Sequence, residues 1–514
     1  MSWLRRDATW LALLILSIAG LNQLWAAIDS RPPHWDKAIH LSHTLDLYGA
    51  FSITRVFDWV GTYTYYPPFA YWVTDLFYLV GQSTDPRIAV ASQVPFFATL
   101  VLATYAIGAR LWSGRVGLLS ALFVATSPMV TSAFKDYMLD APLLAMTALC
   151  LYLLIRTEDF SVRSYSLLFG LACGLAVLTK WSFVFAILLP AAVAVAAGLV
   201  ALIRARAWQR LGNLVGAGAL ALLVAGPWYL RNYAQLAADY RNNIAAAFQI
   251  EGDPPVLSAS SLLYYFWTLV THQLWALPFL LFVCGLLFLG RRQGALVTNR
   301  YPLLLIAGCL VAFTLVGNKD ARFTMPMLPA VAVVATYWID GLRPVLRRSL
   351  SGVMTAYCAG TFLAISFGTP VLPRDVFITL PTSPFVSGLS DFKPSGDIVI
   401  VHGIRVWAQQ SYPLGAPSDE RWYQEEMFKE AARRSVTRTI WFQGPNVDTI
   451  WFNGYAMRYF AVRYGVTWVA TLPQSDFAAI RTLAGQSAVA PSGFEPIREF
   501  LLPDGGTLRL YRRV

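Results

Sequence analysis

Residues 10–28 read WLALLILSIAGLNQLWAAI, a run without a single charged side chain. About 20 apolar residues in a helix cross the ~30 Å hydrocarbon core of a bilayer. The run is too long for a signal-peptide core and lacks a clear small-residue cleavage site, so it reads as a retained span. Runs of similar character recur at roughly 88–110, 115–132, 138–156, 164–180, 182–203, 212–230, 262–289, 300–317, 323–340 and 349–368. The pattern predicts a polytopic α-helical membrane protein of about eleven spans. Composition agrees: of 514 residues 56% are hydrophobic and 13% charged, about half the charged share of a soluble globular chain.

The net charge of +11 belongs to topology and not to nucleic acid. With the N-terminus inside, the inner connections hold fifteen Arg, from Arg5 and Arg6 through Arg110, Arg115, Arg156 and Arg163 to Arg343, Arg347 and Arg348. The much longer outer loops, at about 29–87 and 231–261 among them, hold ten basic residues. Such a bias marks the cytoplasmic side. The expected location is therefore the plasma (inner) membrane, multi-pass, with everything after the last span outside. The five Cys all lie in apolar runs without a CxxC, and read as small core residues.

Beyond about residue 370 the composition changes. Pro, Gly and Ser gather over 370–396, and then short apolar runs alternate with charged ones. Ile398–Val401, Thr439–Phe442, Val466–Val469 and Leu508–Tyr511 read as strands. Ser418, followed by Asp419 and Glu420 and ending at Arg433-Arg434, has the order of a capped helix. The expected organisation is a membrane domain over 1–370 and an extracytoplasmic soluble α/β domain over 371–514.

The chemistry-bearing residues gather on the outer side. Asp36 follows the first span by a few residues, in His34-Trp35-Asp36-Lys37-Ala38-Ile39-His40. Tyr65-Tyr66-Pro67-Pro68-Phe69 comes later in the same loop. Asp140 stands at the outer end of a span in Lys135-Asp136-Tyr137-Met138-Leu139-Asp140-Ala141-Pro142. Other spans end in Leu178-Thr179-Lys180 and Pro227-Trp228-Tyr229-Leu230-Arg231, and one begins with Asn318-Lys319-Asp320-Ala321-Arg322. Lys37, Lys135, Lys180 and Lys319 all fall outside, against the positive-inside tendency. Each residue also has a plain reading, since Trp and Tyr anchor helix ends and terminal cations snorkel. Together they set separated acids and several cations on one membrane face, where ionisable groups are functional candidates.

In this order and on this side, Asp36, Tyr66-Pro67-Pro68, Leu139-Asp140-Ala141-Pro142-Leu143, Leu178-Thr179-Lys180, Pro227-Trp228-Tyr229 and the run from Lys319 and Arg322 to Leu328-Pro329 resemble a known family. It is the polyprenyl-phosphate-sugar-dependent glycosyltransferases of the GT-C fold, in the branch of protein O-mannosyltransferases and lipid A aminoarabinose transferases. The resemblance covers about residues 1–370. It implies a polyprenyl-phosphate-linked sugar donor, a lipid, polysaccharide or protein acceptor, and surrounding membrane lipids as partners, with no nucleic acid. It also implies inverting transfer to an acceptor hydroxyl on the outer face. Asp36 is then the general base and Asp140 orients the acceptor or the first loop. Lys180 and Arg231, with Lys319 and Arg322 as second candidates, would meet the donor phosphate. Tyr66, Trp228 and Tyr229 would line the substrate site.

If the first loop continues as a helix, Asp36, His40 and His43 fall at i, i+4 and i+7 on one face, a candidate ligand set for a divalent metal. The alternative function with the same hydropathy is a transporter or lipid flippase. That class places ionisable residues at the bilayer midplane and often shows repeated halves, neither of which is visible in this sequence.

Overall fold

The computed structural model describes residues 2–52, 54, 56–250, 255–368, 398–401, 404–407, 416–434, 438–444 and 451–514. The expected Pro-, Gly- and Ser-rich segment at 370–396 lies outside the described residues. By packing, the chain forms two compact units. One compact unit comprises Met1–Gln23, Ser52–Val73 and Val90–Ala416, the other Leu24–Phe51, Thr74–Ala89 and Pro417–Val514.

The first unit is helical. Among the described residues six helical stretches are long and apolar enough to cross a membrane: Asp7–Ile28, Pro86–Leu111, Asp140–Thr157, Phe183–Ala205, Trp208–Asn242 and Pro344–Phe367. Shorter apolar helices run over Gly114–Thr126, Arg163–Val177, Ala276–Leu289 and Arg300–Leu315. Several expected spans are interrupted, and the cause is local. Pro128 has no N–H to continue the ladder, so the run at 115–132 becomes Gly114–Thr126 followed by Pro128–Ala133. Pro326 likewise falls in a 3-10 turn, Met325–Met327, before the helix Leu328–Thr336. The run at 262–289 is a helix Ala259–Thr268, a π-helical turn Leu269–Leu274 and a second helix Ala276–Leu289.

Small residues set the closest helix contacts. A Cβ on Gly170 would stand 2.2 Å from the Ala217 carbonyl oxygen, and one on Gly285 only 1.9 Å from that of Val334. Glycine is required at both because backbone meets backbone, as at close helix pairs in membranes.

In the second unit, helix Trp35–Ala50 packs against helix Gly454–Tyr464. The latter begins at Asn453, whose side chain accepts from Ala456 N at 2.8 Å, and ends at Gly465 with φ +62°, both ordinary helix punctuation. With β1 as Ile398–Val401 and β2 as Ile404–Trp407, the later strands are β3 (Thr439–Gln443), β4 (Thr467–Trp468), β5 (Phe477–Thr482), β6 (Phe494–Leu501) and β7 (Thr507–Arg513). Five of them form a sheet in the order β4-β3-β5-β7-β6. The β3 pairings with β4 and β5 are parallel, and those of β7 with β5 and β6 antiparallel. Ala478, Ile480, Phe494 and Tyr511 form a buried cluster on it, with Trp441, Leu472 and Ala488 packed alongside. The strand expected at Ile398–Val401 is present, but it falls in the first unit, where it pairs with β2 in a two-stranded antiparallel ribbon.

The charged helix expected from Ser418 begins six residues later, as Gln424–Arg434. Ser418 is occupied elsewhere. Its N–H donates to Asp29 at 2.9 Å, its carbonyl accepts from Ser30 N at 2.8 Å, and its hydroxyl accepts from Glu420 N at 3.2 Å.

Candidate active site

Pro67 and Pro68 have no backbone N–H, so the first donor after Tyr66 is that of Phe69. It donates to the Leu178 carbonyl at 2.9 Å, which seats the Tyr-Pro-Pro segment against Leu178-Thr179-Lys180. Lys180 Nζ stands 2.9 Å from Asp140 Oδ1, with both side chains buried. The same ammonium lies 5.3 Å from the centre of the Tyr66 ring. Asp140 is in the first turn of helix Asp140–Thr157, where the helix dipole favours a carboxylate. A buried Lys or Asp is tolerable only when compensated, and here each compensates the other.

The long helix Trp208–Ile250 closes another side. Trp228 packs with Leu178 and Ala225, beside Phe69, Trp72 and Tyr229. Its Nε1 donates to the Thr62 carbonyl at 3.3 Å, and Tyr229 Oη donates to the Val177 carbonyl at 2.9 Å. Asn232 Nδ2 donates to the Trp228 carbonyl at 2.9 Å. The exposed Arg231 guanidinium lies over Gly61, where a Cβ would meet it at 2.7 Å. Further out, Tyr63 Oη donates to Asp239 at 2.5 Å, and the rings of Trp181 and Tyr240 meet edge-on at 5.3 Å. Tyr66, Asp140, Lys180, Trp228, Tyr229 and Arg231 thus fall on elements that contact one another, although they span 166 positions of sequence. The sequence reading did not single out Gly61, Thr62, Tyr63 or Asp239. No motif marks them, because they matter as partners.

Lys319 and Arg322 form a second group. Lys319 Nζ donates to the carbonyls of Phe313, Thr314 and Val316 at 2.9, 2.7 and 2.5 Å. Those carbonyls are at the C-terminal end of helix Arg300–Leu315, so the ammonium caps that helix. Arg322 is paired with Asp320, its Nε at 2.6 Å from the carboxylate.

Asp36 lies in the other unit, half-buried in the first turn of helix Trp35–Ala50, where the dipole again favours its charged form. His40 and His43 follow on that helix. Burial and the nearby Arg458 hold the His43 imidazole down to about 4, so it is neutral at physiological pH. Among the described residues no group of three or more His, Cys, Asp or Glu is placed to hold a metal ion. The candidate metal set Asp36, His40 and His43 is therefore not assembled, and the Arg458 charge beside His43 opposes a cation there.

Residues 66–230 match the family model described as dolichyl-phosphate-mannose-protein mannosyltransferase. No curated protein sequence matches the chain. The fold is that of ArnT from Cupriavidus metallidurans, solved bound to undecaprenyl phosphate, with TM-score 0.63 and 14% identity over 97% of each chain. The apo form of the same protein gives TM-score 0.60 and 14% identity over 98% of each chain. The matched segment, about a third of the chain, holds Tyr66, Asp140, Lys180, Trp228 and Tyr229, and the likeness of fold to ArnT extends over nearly the whole chain.

Proposed function

We propose that the protein transfers a sugar from a polyprenyl-phosphate-linked donor to an acceptor hydroxyl on the outer face of the membrane, with inversion at the anomeric carbon. The buried Lys180–Asp140 pair under the Tyr66 ring is the observation that carries this reading. Lys180 has three N–H donors. One goes to Asp140, which fixes the ammonium and leaves capacity for phosphate oxygens. The exposed Arg231 adds a second cation on the adjoining helix. Lys319 and Arg322 are weaker candidates because their donors go to carbonyls and to Asp320.

In the proposed step the acceptor oxygen forms a bond to the anomeric carbon as that carbon's bond to the phosphate oxygen breaks. The electron pair leaves with the polyprenyl phosphate, already an anion, and the cations stabilise the growing charge. The acceptor proton passes to a carboxylate, for which Asp36 is proposed on its place in the sequence and its helix position. Asp140 then positions Lys180 and takes no proton. No step is routed through a metal. About eleven spans, a cytoplasmic N-terminus and an external C-terminal sheet domain complete the proposal, supported by the Arg asymmetry.

The test uses purified protein in liposomes with a panel of undecaprenyl-phosphate-linked hexoses and pentoses. Transfer of one of them, with the opposite anomeric configuration in the product by NMR, is the expected result. Retention would remove the single-displacement step. No transfer or hydrolysis of any donor would favour the transporter reading.

A further inference from the structure

The π-helical turn Leu269–Leu274 carries chemistry that the proposed reaction has not used. Trp275, which ends it, has φ +64° and ψ −176°, a backbone region that glycine alone enters freely. Its ring is 1% exposed. Gln273 is wholly buried, and its Nε2 donates to the Ala321 carbonyl at 2.6 Å and to Thr324 Oγ1 at 2.8 Å. Because a carbonyl only accepts, these bonds fix which end of the amide is nitrogen. Among the described residues neither Gln273 Oε1 nor Trp275 Nε1 has a hydrogen-bond partner.

A buried acceptor and a buried donor therefore stand two residues apart on a strained turn. Buried polar atoms without partners are destabilising and uncommon in native folds, and π-turns and strained non-glycine residues gather at functional sites. A hydroxyl satisfies both atoms, since it donates to an amide oxygen and accepts from an indole N–H. We propose that Gln273 Oε1 and Trp275 Nε1 bind a hydroxyl of the donor's sugar and so select the sugar. The inference rests on the glycosyltransferase reading. The donor sugar is the better occupant than the acceptor, because a sugar presents several hydroxyls that survive transfer whereas the reacting acceptor hydroxyl is consumed.

Trp275→Phe deletes the N–H and keeps a ring to pack. Gln273→Glu keeps an oxygen acceptor, and Gln273→Met removes it. Affinities are measured in nanodiscs for bare undecaprenyl phosphate and for undecaprenyl-phosphate-linked mannose, glucose and arabinose, with thermal unfolding as the check on folding. Wild type should bind at least one sugar-loaded lipid more tightly than the bare lipid. Trp275→Phe and Gln273→Met should cut that preference about tenfold, the equivalent of one good hydrogen bond, with bare-lipid affinity unchanged. Gln273→Glu should retain most of it. A preference that survives Trp275→Phe and Gln273→Met assigns the turn to a trapped water and overturns the proposal, even where wild type transfers sugar normally. A wild type that neither prefers nor transfers any of these sugars overturns the glycosyltransferase reading and the subsite with it.

Discussion

Asp140 and Lys180 are each costly to bury alone, so their roles in stability and in transfer have to be separated. Lys180→Met leaves the Asp140 carboxylate buried without its cation, which should destabilise by about 3–5 kcal/mol. Adding Asp140→Leu should restore most of that stability, since a packed apolar pair often equals a buried ion pair. Transfer should stay down by about a hundredfold or more in both variants, because the phosphate has lost its cation. Thermal unfolding and turnover, measured on the same preparations, decide it. A double variant that regains transfer with stability makes the pair structural. At the exposed Arg231, Arg231→Ala should weaken donor use with little change in stability, within about 0.5 kcal/mol.

Asp140 and Lys180 were legible as candidates because both are ionisable residues at the outer ends of apolar runs. Their pairing was not, since 40 positions separate them. Lys319 shows the converse. It is a second candidate for the donor phosphate by resemblance, and its donors reach carbonyls three to six residues back in the chain. Local helix capping of this kind leaves no signal in composition.

At the scale of elements, apolar length marked the six long helices and the shorter apolar ones, whereas the breaks at Pro128 and Pro326 fall inside runs that read as continuous. The break at Trp275 was not legible, because it depends on a positive φ at a residue that does not ordinarily adopt one. Helix Gly454–Tyr464 was also missed, although Asn453 and Gly465 bracket it with ordinary cap residues. The packing of helix Trp35–Ala50 on this helix makes a testable pH dependence. His43 is held down to about 4, below its ordinary 6.5, by burial and by Arg458. The unfolded chain therefore takes up this proton first as pH falls. The contribution is complete above about 6.5 and is lost between there and about 4, worth about 3 kcal/mol for a shift of this size. Glu425 acts in the same sense at lower pH, its carboxyl held below the usual range by Tyr464, Lys429 and Arg463 against the effect of burial. Asp46, raised by burial, acts in the opposite sense. Thermal unfolding of wild type should fall between pH 7 and 4.5, and His43→Gln should flatten that slope. An equal slope in the variant would move the titration to another group.

Among close helix contacts, Gly170→Val should lower the melting temperature strongly, because its side chain would enter the Ala217 backbone. Unchanged melting would mean that the two helices separate freely, contrary to their packing.

For the whole molecule, composition alone identified a polytopic membrane protein, and the order of weak motifs pointed to the family whose model matches residues 66–230. The division into compact units was less legible. Residues 29–51 and 74–87, within the expected outer loop at about 29–87, group with Pro417–Val514, and contacts of such long sequence separation carry no periodicity. Reporter fusions should place the N-terminus in the cytoplasm and residues after about 370 outside, as the Arg distribution requires. A cytoplasmic C-terminal domain would reverse the face assigned to every site residue.

The base assignment is tested most directly by single-turnover transfer from the donor that wild type uses, with donor affinity measured on the same protein. Asp36→Asn keeps the size and polarity of the side chain but accepts no proton, so the transfer rate should fall about a hundredfold or more. Donor affinity should remain that of wild type. Transfer by Asp36→Asn at the wild-type rate would contradict the account.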